Sequence, residues 1–319
     1  MEYSNFANTM SMNMKQIHMK TEIKTILVPT DFSELSKNAL RVAVKMAQRH
    51  GAKLIIAHTV HTYYMIDRGG KQVIGSDTVE ENRKNAEKKL LDLHTSLVEK
   101  YNIAVETKMS NESILDSSNE LIVTDQVDLI VMGTSGRQNI KQFILGSNSY
   151  NMLLNANCSV LLIPRKSRKT SFKKILFPVR VNHELDQKAD LSVLLAEKNK
   201  GGIDLLGVGD LDKMEDVKKD YIEMKRNLMQ QSAEYESEFQ LSHDNAEVII
   251  QAAIDKQSDI IILADEDEDS WKSFMADNFF KKMINGTDIP LLVVKSKLNR
   301  IKNKTENRMG YDFTMPIPG

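Results

Sequence analysis

The run Gly133-Thr134-Ser135-Gly136, followed after nine residues by Gly146-Ser147, is the part of the chain best suited to chemistry. Glycines at 133, 136 and 146 remove side chains, so backbone N–H groups can approach phosphate oxygens. The Ser147 hydroxyl, with Asn148 next to it, opens a helical pattern that runs to about Asn155, and a helix N-terminus offers amide hydrogens and partial positive charge to an anion. The segment reads as a phosphate cradle. Arg137 and Lys141 lie in its insert and supply positive charge. Phosphoryl transfer also needs Mg²⁺ ligands and an oriented nucleophile. There is no Gly-Lys-Ser/Thr, no His-Arg-Asp catalytic loop and no convincing base, so no catalytic residue is assigned. Efficient turnover is not expected, and slow ATP hydrolysis or phosphotransfer in the same pocket stays open as the alternative.

Three apolar runs occur twice in the same order, which marks a tandem duplication. Lys24 to Pro29 recurs as Lys173 to Pro178, Asp128 to Met132 as Asp259 to Leu263, and Ser159 to Ile163 as Pro290 to Val294. Between them lie helical patterns. Leu35, Ala39, Val42, Ala43 and Met46 share one helix face, with Ser33 as N-cap and Gly51 as stop. Lys53 to Thr59 reads as a second strand, Thr62 to Asp77 as a loop, Thr78 to Lys100 as a long charged helix and Ile103 to Met109 as a third strand. A helix over Glu112 to Gln126 leads to the fourth strand, which ends at Met132.

The second copy repeats the order with strands at 174–179, 203–209, 234–241 and 259–263 and helices at 184–198, 212–231 and 243–256. Apolar strands without polar alternation are buried on both faces of a parallel sheet. The fold class expected is α/β: two tandem open parallel five-stranded sheets with helices on both faces. Asp31 and Arg180 are 149 residues apart but Gly133 and Ala264 only 131, so the second copy is shorter by about 18 residues, placed around Gly69-Gly70.

With this cradle and this repeat the chain resembles a tandem universal stress protein, a family of the adenine nucleotide alpha hydrolase-like fold. In that family Gly-x2-Gly-x9-Gly-Ser/Thr marks the ATP-binding members, and Gly133, Gly136, Gly146 and Ser147 match it without a gap. The turn Pro29-Thr30-Asp31-Phe32-Ser33 matches the family's Pro-Thr-Asp-Phe-Ser. The resemblance implies that Asp31 and the backbone around Thr30 face the adenosine, as does Thr59, with Met132 nearby. An acid belongs beside ribose hydroxyls or adenine amino hydrogens rather than beside phosphate. ATP with or without Mg²⁺, AMP or another adenylate satisfies the cradle equally. Fifth strands pair between domains in this family, so Ser159 to Ile163 and Pro290 to Val294 are expected to form an intrachain pseudo-dimer. A further homodimer stays open.

The second copy departs from the pattern everywhere. Ala264, Asp267, Asp277 and Asn278 stand for Gly133, Gly136, Gly146 and Ser147, and Arg180 stands for Asp31. Asp265 to Asp269 is an unbroken acidic run where a triphosphate would lie, and like charges there oppose nucleotide. Consecutive acids without a glycine turn lack EF-hand spacing, so no metal site is assigned. The expected domains are a leader (1–22), a nucleotide-binding domain (23–168), a degenerate domain (172–297) and a tail (298–319). The role implied is a cytoplasmic stress sensor or adaptor.

Composition agrees with this reading. Lys plus Arg number 43 and Asp plus Glu 44, so the net charge of -1 gives no global attraction to nucleic acid or anionic lipid. No stretch approaches the ~18 apolar residues of a membrane span. The Asn- and Met-rich leader does not read as a secretory signal, and the single Cys158 excludes an intrachain disulfide, which suits a reducing cytoplasm. Cys158 reads as a small buried thiol, and His58 and His61 with Tyr63 and Tyr64 as a packed strand end. Trp271 with Phe274, Phe279 and Phe280 reads as apolar contact surface or core.

Overall fold

A computed structural model describes residues 21–60, 64–67, 70–73, 76–134, 147–180, 185–231, 233–264 and 279–295. The expected leader lies outside them except for Thr21 and Glu22, and the tail lies wholly outside. In chain order the first half comprises β1 (Thr25–Pro29), α1 (Glu34–His50), β2 (Lys53–Thr59), β3 (Tyr64–Asp67), β4 (Gly70–Val73) and α2 (Ser76–Tyr101). It continues through β5 (Val105–Ser110), α3 (Ile114–Thr124), β6 (Leu129–Thr134), α4 (Ser147–Asn155) and β7 (Ser159–Pro164). The second half runs β8 (Lys174–Val179), α5 (Leu185–Asn199), β9 (Gly202–Gly209), α6 (Met214–Gln230) and β10 (Tyr235–Leu241). It ends with α7 (Asn245–Asp255), β11 (Ile260–Ala264), α8 (Phe279–Gly286) and β12 (Leu291–Val294). None of the described helices is long and apolar enough to cross a membrane.

Local signals fix the ends of these elements. At α1, Ser33 is extended and its side chain accepts the Ser36 N–H, while Gly51 takes the left-handed conformation (φ 68°) that closes the helix. Two expectations are corrected. The segment read as a loop over Thr62 to Asp77 contains the β3–β4 hairpin, in which Asp67 pairs with Gly70, and α2 begins within it at Ser76. Strands of four residues are too short to show a periodicity. The fourth strand does not stop at Met132 but continues through Gly133 and Thr134, which pair with Ile163 and Pro164 of β7.

The ten main strands form one sheet in the order β10-β9-β8-β11-β12-β7-β6-β1-β2-β5. The expected pair of five-stranded sheets is thus continuous. Within this sheet every pairing inside a half is parallel. At the seam β12 runs antiparallel to β7, with Leu291, Leu292 and Val293 opposite Leu162, Leu161 and Val160. The pairing covers an edge strand in each half.

Neighbouring residues on the central strands enter different cores, which explains their lack of polar alternation. Ile26, Val28, Ile56 and Val131 pack into a layer under α1, α2, α5 and α6. Leu27, Ile55, Ile130 and Met132 pack into the opposite layer, with residues from α3, α4, α7 and α8. Cys158 is fully buried in that second layer and Phe279 and Phe280 are buried there too, whereas Trp271 and Phe274 lie outside the described residues.

The duplication extends to polar contacts at the amino ends of the strands. The Asp128 carboxylate accepts the N–H groups of Lys24 (2.8 Å) and Thr25 (3.0 Å), tying β6 to β1. Asp259 does the same for Lys173 (2.9 Å) and Lys174 (3.1 Å) and also meets Lys169 Nζ at 2.5 Å. Removing a shared acceptor strands its donors. Asp259→Ala is therefore expected to cost roughly 1–2 kcal/mol in urea denaturation, and more than Asp128→Ala, because only Asp259 also holds a lysine ammonium at hydrogen-bond distance among the described residues. Equal costs would refute this ranking. The connection between halves is clasped by α1: Asn38 Nδ2 donates to the carbonyls of Pro164 and Ser167 (both 3.1 Å), Arg41 to that of Arg168 (3.0 Å) and Arg49 to that of Thr170.

Candidate functional site

Strand order creates the site. In the first half β1 lies between β2 and β6, and the chain leaves β1 in one direction for β2 and returns on the other side as β6. Ligands of open α/β sheets bind outside the carboxyl ends of the strands at this reversal. Here the strand pairing ends unevenly. β1 pairs with β2 as far as Pro29–Ala57, and β6 with β7 as far as Thr134–Pro164, but β1 and β6 stop pairing at Leu27–Ile130. Pairing between β1 and β6 therefore ends two residues before β1 does, and Thr30 and Thr134 follow on the two sides of that break.

The turn after β1 is held from several sides. Thr30 is buried, its Oγ1 donates to Ser36 Oγ (3.1 Å) and accepts the Phe32 N–H (3.0 Å), and its own N–H donates to Ala57 O (2.8 Å). The His58 ring nitrogen Nδ1 lies 2.7 Å from Thr30 O, so it carries the proton and donates. Phe32 adopts φ 62°, and its ring meets that of His58 with centroids 4.6 Å apart. Asp31 is exposed beside this break, where Oδ1 accepts the Ser33 N–H at 3.0 Å. Burial acts to raise its carboxyl, but hydrogen bonds from the Ser33 side chain and backbone and from Ser36 outweigh it and hold the group below the usual carboxylate range. Asp31 is an anion at neutral pH.

On the other wall Met132 and Thr134 are buried, and Gly133 is pressed against α1. A Cβ at Gly133 would lie 2.4 Å from Leu35 O. Its carbonyl accepts the Ser149 hydroxyl of α4 at 3.0 Å. Thr59 ends β2 half-buried, and Asn148 is exposed in the first turn of α4, which Ser147 begins. Pro29, Thr30, Asp31, Thr59, Met132, Gly133, Thr134, Ser147 and Asn148 thus gather at one rim of the sheet and at the helix that follows it. Gly136, Arg137, Lys141 and Gly146 lie outside the described residues, as do His61 and Tyr63. Leu35, Ser36 and Ser149 also shape the site. Their sequence signals are weak, since each looks like an ordinary helix residue.

The second half ends its pairing in the same way, with β8–β11 pairing ending at Leu176–Ile261 while β8–β9 continues to Val179–Gly207. Buried cations stand at that end of its strands. Arg180, in the place of Asp31, is buried with its guanidinium carbon 3.5 Å from the Phe279 ring centroid, and Phe279 holds the place of Asn148. Lys188 is fully buried and donates to Pro178 O at 2.5 Å. The acidic run Asp265 to Asp269 lies outside the described residues.

A parallel sheet whose pairing breaks off at its reversal, with a helix N-terminus following at the same rim, defines an α/β protein of the switch-point class. Among proteins of that class, the universal stress protein family model matches residues 22–164. The chain is 30% identical over 141 residues to a universal stress protein of Thermus aquaticus, a match covering 44% of this chain and 98% of the relative. A universal stress protein of Methanocaldococcus jannaschii is 26% identical over 148 residues, 46% of this chain and 85% of the relative. The chain belongs to the universal stress protein family. The crystal structure of a universal stress protein from Archaeoglobus fulgidus superposes with TM-score 0.67 at 15% identity, covering 86% of this chain and 97% of that one. This likeness concerns the fold, and it extends over both halves.

Proposed function

We propose that the first half binds one adenine nucleotide, ATP or another adenylate, at the break in pairing between β1 and β6, and that the chain acts as a cytoplasmic stress sensor or adaptor. The observation that carries this reading is the placement of the Gly-x2-Gly-x9-Gly-Ser segment. Its two ends support it: Gly133 and Thr134 close β6 and Ser147 opens α4, while the ionised Asp31 follows β1 at the same rim of the sheet.

Charge orients the ligand. Phosphates belong at α4, where amide hydrogens and the helix dipole favour an anion by about 0.3–1 kcal/mol per charge. The nucleoside belongs at Asp31, whose carboxylate repels phosphate and accepts hydrogen bonds from hydroxyl or amino groups. In the second half Arg180, buried against Phe279, stands at the position of Asp31 and brings no acceptor for the nucleoside, so one nucleotide per chain is expected.

Isothermal titration with ATP and Mg²⁺ is expected to give one equivalent per chain. Gly136→Asp, which puts a carboxylate among the phosphates, should weaken binding at least roughly tenfold. Native mass spectrometry of freshly purified protein would name the nucleotide. Absence of both heat and thermal stabilisation with ATP would overturn the reading, two equivalents per chain would overturn its asymmetry, and rapid phosphate release would favour an enzyme.

A further inference from the structure

The second half reaches into the first at one buried charge. Lys295, directly after β12, is 4% exposed, and its Nζ donates to Leu154 O at 3.2 Å. Its backbone N–H donates to Ser159 Oγ at 3.2 Å, at the start of β7. Leu154 is in the last turn of α4, where carbonyls have no partner within the helix and where a cation is favoured by the dipole. The neighbouring carbonyl of Asn155 is taken by Asn119 Nδ2 at 3.1 Å. A helix of nine residues does not hold itself in water. External contacts such as these fix where it points.

The contact is asymmetric. In the duplication Ile163 corresponds to Val294, so the counterpart of Lys295 is Pro164, which has no side chain able to donate to the end of α8. The half that keeps the glycine-rich segment is the half that receives a lysine from its neighbour. A residue serving only to fill that space would be apolar, because burying an ammonium carries a desolvation cost that a methionine of similar length avoids.

From this geometry we infer that Lys295 is a positioning residue for the nucleotide site of the opposite half, an inference that rests on the nucleotide reading above. By holding the carboxyl end of α4, it sets the amino end about 13 Å away, where Ser147 follows the glycine-rich segment. The half without a cradle thereby completes the cradle of the other.

The test uses the full chain with Lys295→Met and Lys295→Arg, read by amide hydrogen exchange without ligand and by ATP titration. In Lys295→Met, exchange over 147–155 should rise about tenfold while that of α8, 279–286, stays unchanged as the internal control. ATP affinity should fall about tenfold, and Lys295→Arg should restore both properties. Lys295→Gln carries the same two readouts if the methionine variant does not fold. Unchanged exchange in α4, an equal rise in α4 and α8, or a loosened α4 with undiminished affinity would each overturn the role of the lysine alone. A wild-type chain that binds no nucleotide would instead overturn the function reading, and the role assigned here with it.

Discussion

Gly133→Ala is expected to destabilise the ligand-free protein by about 2–3 kcal/mol, although it adds a single methyl group. That methyl would sit 2.4 Å from the carbonyl oxygen of Leu35, 2.7 Å from its carbonyl carbon and 3.0 Å from its Cβ. Two of those atoms are backbone in the first turn of α1, so they cannot move aside by changing rotamer. Relief requires α1 to lift from β6, which disturbs the shared core of Val42, Met46 and Val131. Gly202→Ala is the control, because there the nearest atom is Glu234 O at 3.4 Å, and a change within about 0.5 kcal/mol is expected. Equal denaturation midpoints for the two variants would contradict the argument. A nucleotide-binding defect in any Gly133 variant therefore has to be separated from loss of fold.

The second large effect is on pH dependence. His50, the last residue of α1, has both ring nitrogens buried and without a hydrogen-bond partner among the described residues. Burial, then Lys198 of α5 across the junction between the halves, then Arg49, lower its pKa from 6.5 to about 4. The unfolded chain therefore takes up a proton at a pH where the native state does not. Stability from this residue is complete above pH 6.5 and is lost as the pH falls toward 4. The window corresponds to about 2–3 kcal/mol after allowance for the ring's partial exposure. Urea denaturation at pH 7.5 and 4.5 should show about three quarters of that as extra loss in the wild type relative to His50→Leu. Parallel profiles would remove His50 as the cause.

The repeat, the alternation of strand and helix, and most element ends could be read from residues that act locally. Pro29 and Ser33 mark the turn into α1, and Gly51 supplies the left-handed residue that ends it. The glycine-rich segment and Asp31 could be read because their spacing survives in the chain itself. What could not be read depends on residues far apart in sequence. The early end of the β1–β6 pairing is a property of their register and not of either strand's composition. Gly133 looks like a loop residue until the carbonyl of Leu35 is seen against it, and Lys295 looks like the start of a basic tail until Leu154 is found beneath it. In the second half the contact between Arg180 and Phe279 joins residues 99 positions apart, which no local pattern announces.

The β7–β12 seam also determines how such a protein responds to its own abundance. Separate subunits joined along the same strands would come apart on dilution, and their pairing would follow mass action. Here both strands belong to one polypeptide, so the junction persists at any copy number, and the tether holds the strands at an effective concentration on the order of millimolar. A scarce protein keeps the same architecture as an abundant one. Because the seam is antiparallel, the carboxyl ends of the two sets of strands face opposite rims of a single slab.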